Sequence, residues 1–227
     1  MYNSLGHIAL ILDGNKRWAK RNSFTNTYGY SKGFKNIKSI VNYSLSINLS
    51  NLTIFALSSE NYNRSSISII YKIIYENSTN VFEDLVTKNG VKIKIFGNKE
   101  NLPDKIIKIF NRLEQLSVNN KNLNLNIAFN YGFKDEIKKV LKIIKSNKFK
   151  IDLENDKEIK ELFFLGEIPD PDILIRTGGY QRLSNFIMYN LTYTELFFTE
   201  TLWPDFSINE LKSIITKFLE INRKYGL

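Results

Sequence analysis

Four short apolar runs, at 8–12 (IALIL), 52–57 (LTIFAL), 123–129 (LNLNIAF) and 173–175 (ILI), each stop abruptly at polar or charged residues, and longer segments with helical periodicity separate them. A largely apolar run without strict alternation is what a strand covered on both faces shows, and strands that alternate with helices imply parallel pairing through crossover connections. The pattern predicts a single α/β domain over residues 1–227, with a mostly parallel central sheet of about six strands flanked by helices. Helices are expected at Phe34–Ile47 after a Gly29–Gly33 loop, at Ile67–Lys88 as one long element ended by Asn89-Gly90, and from Pro103 to about Leu116. Others are expected at Asp135–Ser146, at Lys157–Phe164 and from Ser207, whose capping box is completed by Glu210, to about Arg223. Val91–Phe96 alternates apolar residues with lysine and reads as a strand near the sheet edge; Phe186–Tyr189 and Glu195–Phe198 read as short extended pieces.

Composition removes several chemistries. The chain has no cysteine, which excludes disulfides, thiolate metal sites and cysteine nucleophiles. Its one histidine, His7, lies just before a strand and reads as structural, so neither an imidazole zinc site nor a serine–histidine triad with a free choice of base is available. Lys plus Arg exceed Asp plus Glu by 32 − 23 = 9. That excess suits polyanionic small substrates or an anionic membrane surface; without a basic stripe interleaved with aromatics, nucleic acid is not expected as a partner. No apolar run reaches the length of a membrane span, and only six residues precede His7. The expected location is cytoplasmic with peripheral membrane contact, or organellar if a transit peptide has been removed.

In a parallel sheet the carboxyl ends of all strands face one edge, where ligands bind in open α/β folds. Asp13-Gly14-Asn15, Ser58 to Arg64, Asn130-Tyr131-Gly132 and Arg176 onward all fall at such ends, so separate signals converge on one mouth. Asp13 is placed to hold a divalent metal, Gly14 to let a phosphate approach the backbone, and Asn15, Lys16 and Arg17 to supply donors and positive charge. Arg176, Arg182 and Ser184, separated by Gly178 and Gly179, offer two guanidinium forks and a hydroxyl on a bent loop, which suits a diphosphate. Glu195 is a candidate second carboxylate for Mg²⁺, an ion that takes few protein carboxylates and leaves positions for phosphate oxygens.

With those residues in view the chain resembles the cis-prenyltransferases, or Z-isoprenyl diphosphate synthases. The resemblance runs from His7 to Gly226 and rests on HIALILDGNKRWA at 7–19, SSENYNR at 58–64, NIAFNYG at 126–132, DILIRTGGYQRLSNF at 172–186 and YTELFFTETLWPDF at 193–206. It implies successive condensation of isopentenyl diphosphate onto an allylic diphosphate such as farnesyl diphosphate, each addition making a Z double bond, to a long-chain, undecaprenyl-like product. It also implies a hydrophobic tunnel, for which the helices at 34–47 and 67–88 are suited, and transient membrane-surface contact for product release. By the match, Asp13 assists diphosphate departure through Mg²⁺, and Gly14, Asn15 and Arg17 hold the allylic diphosphate. Arg176, Arg182 and Ser184 hold the isopentenyl diphosphate, while Glu195 completes the metal site across a homodimer contact. Ser58, Asn61 and Arg64 belong to the loop that positions the diphosphates and helps proton removal, and Trp18 and Tyr62 line the start of the tunnel.

The chain departs from the family pattern in places. Lys16 stands where glycine is common, Tyr30 where Gly-His-x-x-Gly has histidine, Asn26 where an arginine is usual, and Tyr180-Gln181 where bacterial members carry Glu-His or Glu-Gln. Ser65 replaces a proline, Ser68 an acidic residue, and Phe133-Lys134 follows the NYG triplet in place of Gly-Arg. Three other readings stand beside it: a non-catalytic partner subunit of a cis-prenyltransferase, for which Tyr30 and Asn26 speak; a short- or medium-chain Z-synthase, since tunnel length depends on side-chain packing; and an anion- or RNA-binding α/β protein, explained by the charge excess.

Overall fold

A computed structural model describes residues 4–62, 66–146 and 151–223. The apolar runs become strands of one sheet: β1 (His7–Ile11), β2 (Asn51–Ser58), β3 (Val91–Phe96), β4 (Leu123–Tyr131), β5 (Ile173–Arg176) and β6 (Glu195–Phe198). Their order is β3-β4-β2-β1-β5-β6, and every neighbouring pair is parallel. All carboxyl ends therefore face one edge, with the ends of β2, β1 and β5 side by side. The lysine-bearing β3 is an edge strand, as its alternation predicts, and β6 is the other edge.

Eight helices surround the sheet among the described residues: α1 (Asn15–Arg21), α2 (Asn26–Ser46), α3 (Ile67–Asn77), α4 (Asp84–Asn89), α5 (Asp104–Leu116), α6 (Phe133–Lys145), α7 (Asp156–Glu161) and α8 (Ile208–Glu220). Because strand side chains alternate in direction, the two faces of β1 feed two cores. Ile8 and Leu10 join the larger one, with Ile37, Ile40 and Val41 of α2, Ile106 and Phe110 of α5, and Leu211 and Phe218 of α8. Ala9 and Ile11 join the smaller one, with Phe55, Phe96, Tyr131, Leu165, Leu174 and Phe186.

Three local readings change, each for a physical reason. The glycine pair at 29 and 33 reads as a loop, yet α2 starts at Asn26, where the Thr25 side chain accepts from Tyr28 N–H. The glycines are there for close approach: a Cβ at Gly33 would collide with Asn15 and sit 2.8 Å from the Trp203 ring. The stretch expected as one helix from Ile67 to Lys88 is α3, a π turn at Ser78–Glu83, and α4. At the break the Asn77 side-chain amide takes the Ile73 carbonyl at 2.9 Å, a side-chain bond that competes with the helical ladder. Phe186–Tyr189 is not extended; a 3₁₀ turn runs from Met188 to Leu191, and the fully buried Phe186 stacks on Phe55 with ring centroids 4.6 Å apart.

His7 is structural, as its position suggests. It is 1% exposed; Nδ1 lies 2.6 Å from the Pro169 carbonyl and Nε2 2.7 Å from Thr53 Oγ1. A carbonyl only accepts, so Nδ1 carries the proton and Nε2 accepts from the Thr53 hydroxyl, which in turn accepts from the Asn126 amide at 3.2 Å. The chain of bonds ties β4, β2 and β1 together and needs a neutral imidazole. Burial pushes the His7 pKa down from 6.5 to about 4. Between these values the unfolded chain takes up a proton that the folded chain refuses, so stability falls as pH falls from about 6.5 to about 4, by up to about 3 kcal/mol. Urea unfolding at pH 7 and pH 4.5 should show a His7→Gln variant less stable at pH 7 but with a flatter loss toward acid; equal losses in both proteins would refute the assignment.

Candidate active site

The turn after β1 is fixed through the Asp13 backbone, held by the Thr177 hydroxyl and the Trp203 N–H. Asp13 N–H donates to Thr177 Oγ1 at 3.0 Å, and the Asp13 carbonyl accepts from the Thr177 hydroxyl at 2.8 Å and from Trp203 N–H at 3.0 Å. Gly14 follows at φ 122°, and a Cβ there would lie 2.9 Å from Leu202 Cβ, so no other residue fits without strain. The Asp13 carboxylate is thereby held at the carboxyl edge of the sheet. Its Oδ1 lies 3.1 Å from Arg17 Nη2 and its Oδ2 2.9 Å from Arg176 Nη2.

Arg176 ends β5 and is 3% exposed, whereas Asp13 is 30% exposed. A buried guanidinium needs several acceptors. Besides Asp13, Arg176 Nη1 donates to Ser184 Oγ at 2.7 Å and to the Arg182 carbonyl. Ser184 and Asn185 sit at φ 51° and 63°, an uncommon region for non-glycine residues that is associated with functional turns. The bend aims the hydroxyl back at Arg176. Arg17, on the first turn of α1, also donates from Nη1 to the Gly178 carbonyl at 2.6 Å, linking the two arginine-bearing loops.

These groups line a cleft of about 740 Å³, whose walls include Asp13, Gly14, Asn15, Lys16, Arg17, Ser58, Asn61, Arg176, Arg182 and Ser184. An apolar pocket of about 100 Å³ adjoins it, walled by residues such as Phe34, Ile37, Ile73, Phe82, Phe110 and Phe129. Leu12, Asn15, Tyr30, Ala56 and Ile70 line both. Two buried donor or acceptor atoms here, Asn15 Oδ1 and Arg176 Nε, have no partner among the described residues. Unsatisfied buried polar atoms are rare in folded proteins; Arg176 Nε is a donor open to an anion or water, and Asn15 Oδ1 an acceptor open to a donor.

Other predicted residues lie elsewhere. Trp18 faces neither cavity; it is 4% exposed and stacks on Phe24 and Tyr28 at 5.6 and 6.1 Å. Tyr62 packs against the larger core and donates to the Asn101 carbonyl. Glu195 begins β6 opposite Ile173, while Phe198 is the residue opposite Arg176. Three residues of strand put Glu195 about 10 Å short of the carboxyl edge, so a single chain does not bring it to Asp13. Arg64 lies outside the described residues. The Asn130-Tyr131-Gly132 end is structural: Asn130 caps the Asn98 carbonyl at 2.9 Å, and Tyr131 donates to the buried Glu136. Glu136 also accepts from Phe164 N–H at 2.6 Å, and burial pushes its carboxyl up from the usual range.

Sequence reasoning missed Thr177, Trp203 and Tyr180. Thr177 had the one available signal, its place directly after a strand-ending arginine. Trp203 comes from 190 positions downstream of Asp13, and only the fold shows that its backbone clamps the Asp13 carbonyl and its indole the Gly33 carbonyl at 2.8 Å.

The chain is similar to known proteins over nearly its full length. A family profile described as "Putative undecaprenyl diphosphate synthase" matches residues 11–226. An isoprenyl transferase of Fusobacterium nucleatum is 36% identical over 223 residues, covering 97% of this chain and 95% of that protein. A tritrans,polycis-undecaprenyl-diphosphate synthase of Pyrobaculum aerophilum, described as geranylgeranyl-diphosphate specific, is 34% identical, with 97% and 95% covered. Among solved structures, lavandulyl diphosphate synthase from Lavandula x intermedia, in complex with dimethylallyl diphosphate, superposes with a TM-score of 0.92 at 29% identity, covering 98% of each chain. A cleft of arginines around one aspartate at the carboxyl edge of an all-parallel sheet, an apolar pocket beside it and this likeness together place the chain in the undecaprenyl diphosphate synthase family of cis-prenyltransferases.

Proposed function

We propose that the chain condenses isopentenyl diphosphate repeatedly onto an allylic diphosphate such as farnesyl diphosphate, with Z geometry, to give an undecaprenyl-like polyprenyl diphosphate, and that it acts as an Mg²⁺-dependent homodimer. The observation that carries this reading is the junction of an arginine-lined cleft with an apolar pocket through shared wall residues. A prenyl diphosphate has that polarity: a polyanionic head and a hydrocarbon tail. Gly14, Asn15 and Arg17 would hold the allylic diphosphate, and Arg176, Arg182 and Ser184 the isopentenyl diphosphate.

In each condensation the isopentenyl double bond attacks the allylic carbon, the carbon–oxygen bond breaks and diphosphate leaves; a proton is then lost from the isopentenyl unit. The guanidiniums stabilise charge growing on the leaving diphosphate, which they bind more tightly in the transition state than in the ester. Ser58 and Asn61 line the same cleft and would position the diphosphates for proton removal. The apolar walls keep water from the electron-poor carbon.

Asp13 fits the role of Mg²⁺ ligand. It is a partly exposed carboxylate, and among the described residues no group of three or more His, Asp or Glu could form an all-protein cage. That suits an ion completed by phosphate oxygens and water. Mg²⁺, when bound, neutralises charge on the departing diphosphate. Glu195 would join from a second protomer; its strand is a sheet edge, and Tyr193 and Leu196 beside it are 55% and 44% exposed. The basic excess supports transient contact with an anionic membrane at product release. No helix among the described residues is long and apolar enough to cross a membrane.

A short- or medium-chain product is the second reading, favoured by one observation. The apolar pocket, at about 100 Å³, is smaller than a polyprenyl tail and below the roughly 300–1,000 Å³ of common ligand pockets, so a long product requires the α2–α3 wall to open. A non-catalytic partner role is disfavoured by the intact Asp13, Arg176, Arg182 and Ser184 constellation.

Purified protein given radiolabelled isopentenyl diphosphate, Mg²⁺ and a dimethylallyl, farnesyl or geranylgeranyl primer should yield elongated prenyl diphosphates, with Asp13→Ala slower by about a hundredfold or more. Sizing the products separates long from short chains, and no incorporation from any primer would overturn the reading. Light scattering should give twice the 26.5 kDa of one chain. If sites are shared between protomers, unfolding and refolding a mixture of inactive Asp13→Asn and Glu195→Gln chains regenerates one intact site in each mixed dimer, about a quarter of wild-type activity. A mixture as inactive as its parts would contradict the shared site.

A further inference from the structure

Tyr180 stands between the two arginine-bearing loops. The Arg182 guanidinium lies 4.3 Å from its ring centroid, Arg17 4.7 Å and Arg176 5.9 Å. Among the described residues Arg17 and Arg176 also pair with Asp13, but Arg182 has no carboxylate within ion-pair distance, and its guanidinium rests on the ring. We propose that Tyr180 is a positioning residue: its ring is the surface over which Arg182 and Arg17 are held, so that both guanidiniums are preorganised at the cleft with no counter-charge added from this position. The proposal rests on the reading of the cleft as a diphosphate site.

The ring is itself held in place. Gly178 and Gly179, at φ 87° and 80°, turn the chain just before it, and their N–H groups donate to the Thr201 and Thr199 carbonyls, each at 2.8 Å. Arg17 Nη1 closes the same loop onto the Gly178 carbonyl. The ring is 44% exposed and lines the cleft, so it contributes little to the core.

An aromatic face suits this position for a reason of charge. Three cations converge here with a single aspartate between two of them. The glutamate that bacterial members of the family carry at this position would hold the arginines by pairing and would cancel part of their charge. The ring quadrupole attracts guanidiniums without adding net charge. A cation–π contact occupies none of the N–H donors of Arg182, whereas those of Arg17 already serve Asp13 and the Gly178 carbonyl.

The test is titration calorimetry with inorganic diphosphate, with and without Mg²⁺, alongside steady-state kinetics. Tyr180→Leu keeps bulk and removes the quadrupole. It should weaken diphosphate binding about five- to thirtyfold and raise KM for isopentenyl diphosphate with a smaller effect on kcat, while thermal unfolding stays at the wild-type temperature. Tyr180→Phe restores binding to within about threefold, because the ring face is retained. In an Arg182→Gln background the further loss from Tyr180→Leu should shrink, since the principal stacked cation is gone. Wild-type binding matched by Tyr180→Leu would overturn the role of the ring and leave the diphosphate reading intact. No diphosphate binding by the wild type would remove the reading of the cleft and the proposal with it.

Discussion

One carboxylate shared by two guanidiniums organises the site. Asp13 meets Arg17 through one oxygen and Arg176 through the other, and Arg176 is nearly fully buried. A buried charge needs partners for most of its donors, and Asp13, Ser184 and the Arg182 carbonyl supply them for both terminal nitrogens of that guanidinium, leaving Nε without one among the described residues. The rest follows geometrically. β1 and β5 must be adjacent and parallel for Asp13 and Arg176 to meet. Thr177 and Trp203 must grip the Asp13 backbone, and Gly14 must turn the chain against Leu202.

The same pairing sets up the chemistry. Asp13 offsets part of the charge of Arg17 and Arg176 from within the site. On the proposed reading, a diphosphate would offer them several oxygens in place of one carboxylate, and the carboxylate so released would be free for a divalent ion. Charge would then be exchanged between partners with little new burial of unpaired ions, which limits the desolvation cost that isolated charges at such a site would carry. The adjoining apolar wall comes from the larger core, so the helices that stabilise the fold also wall the pocket proposed for a prenyl tail.

The fold was legible because burial writes itself into strand composition: runs such as IALIL and LTIFAL read as doubly covered strands, and all-parallel pairing then puts their ends together. Asp13, Arg176, Arg182 and Ser184 could be found from that logic alone. What could not be read depends on distance in sequence or on packing. Gly29 and Gly33 look like a turn until Asn15 and Trp203 are seen pressed against them. Asn77 looks like an ordinary helix residue until its side chain takes the Ile73 carbonyl. Trp18 and Tyr62 are aromatics near the mouth, yet each finds other aromatic or backbone partners, and Glu195 is on the right strand but at its wrong end for one chain to use.

That Asp13 restrains the arginines until a diphosphate takes its place on them is tested most directly by the affinity of Asp13→Asn for inorganic diphosphate in the absence of divalent ions. The amide keeps the size of the side chain and removes its charge, so the freed guanidiniums should bind diphosphate severalfold more tightly than in the wild type, while added Mg²⁺ should enhance binding less. Weaker metal-free binding by Asp13→Asn would contradict the account, because it would mean that the carboxylate supports the anion site and does not compete with the anion for its arginines.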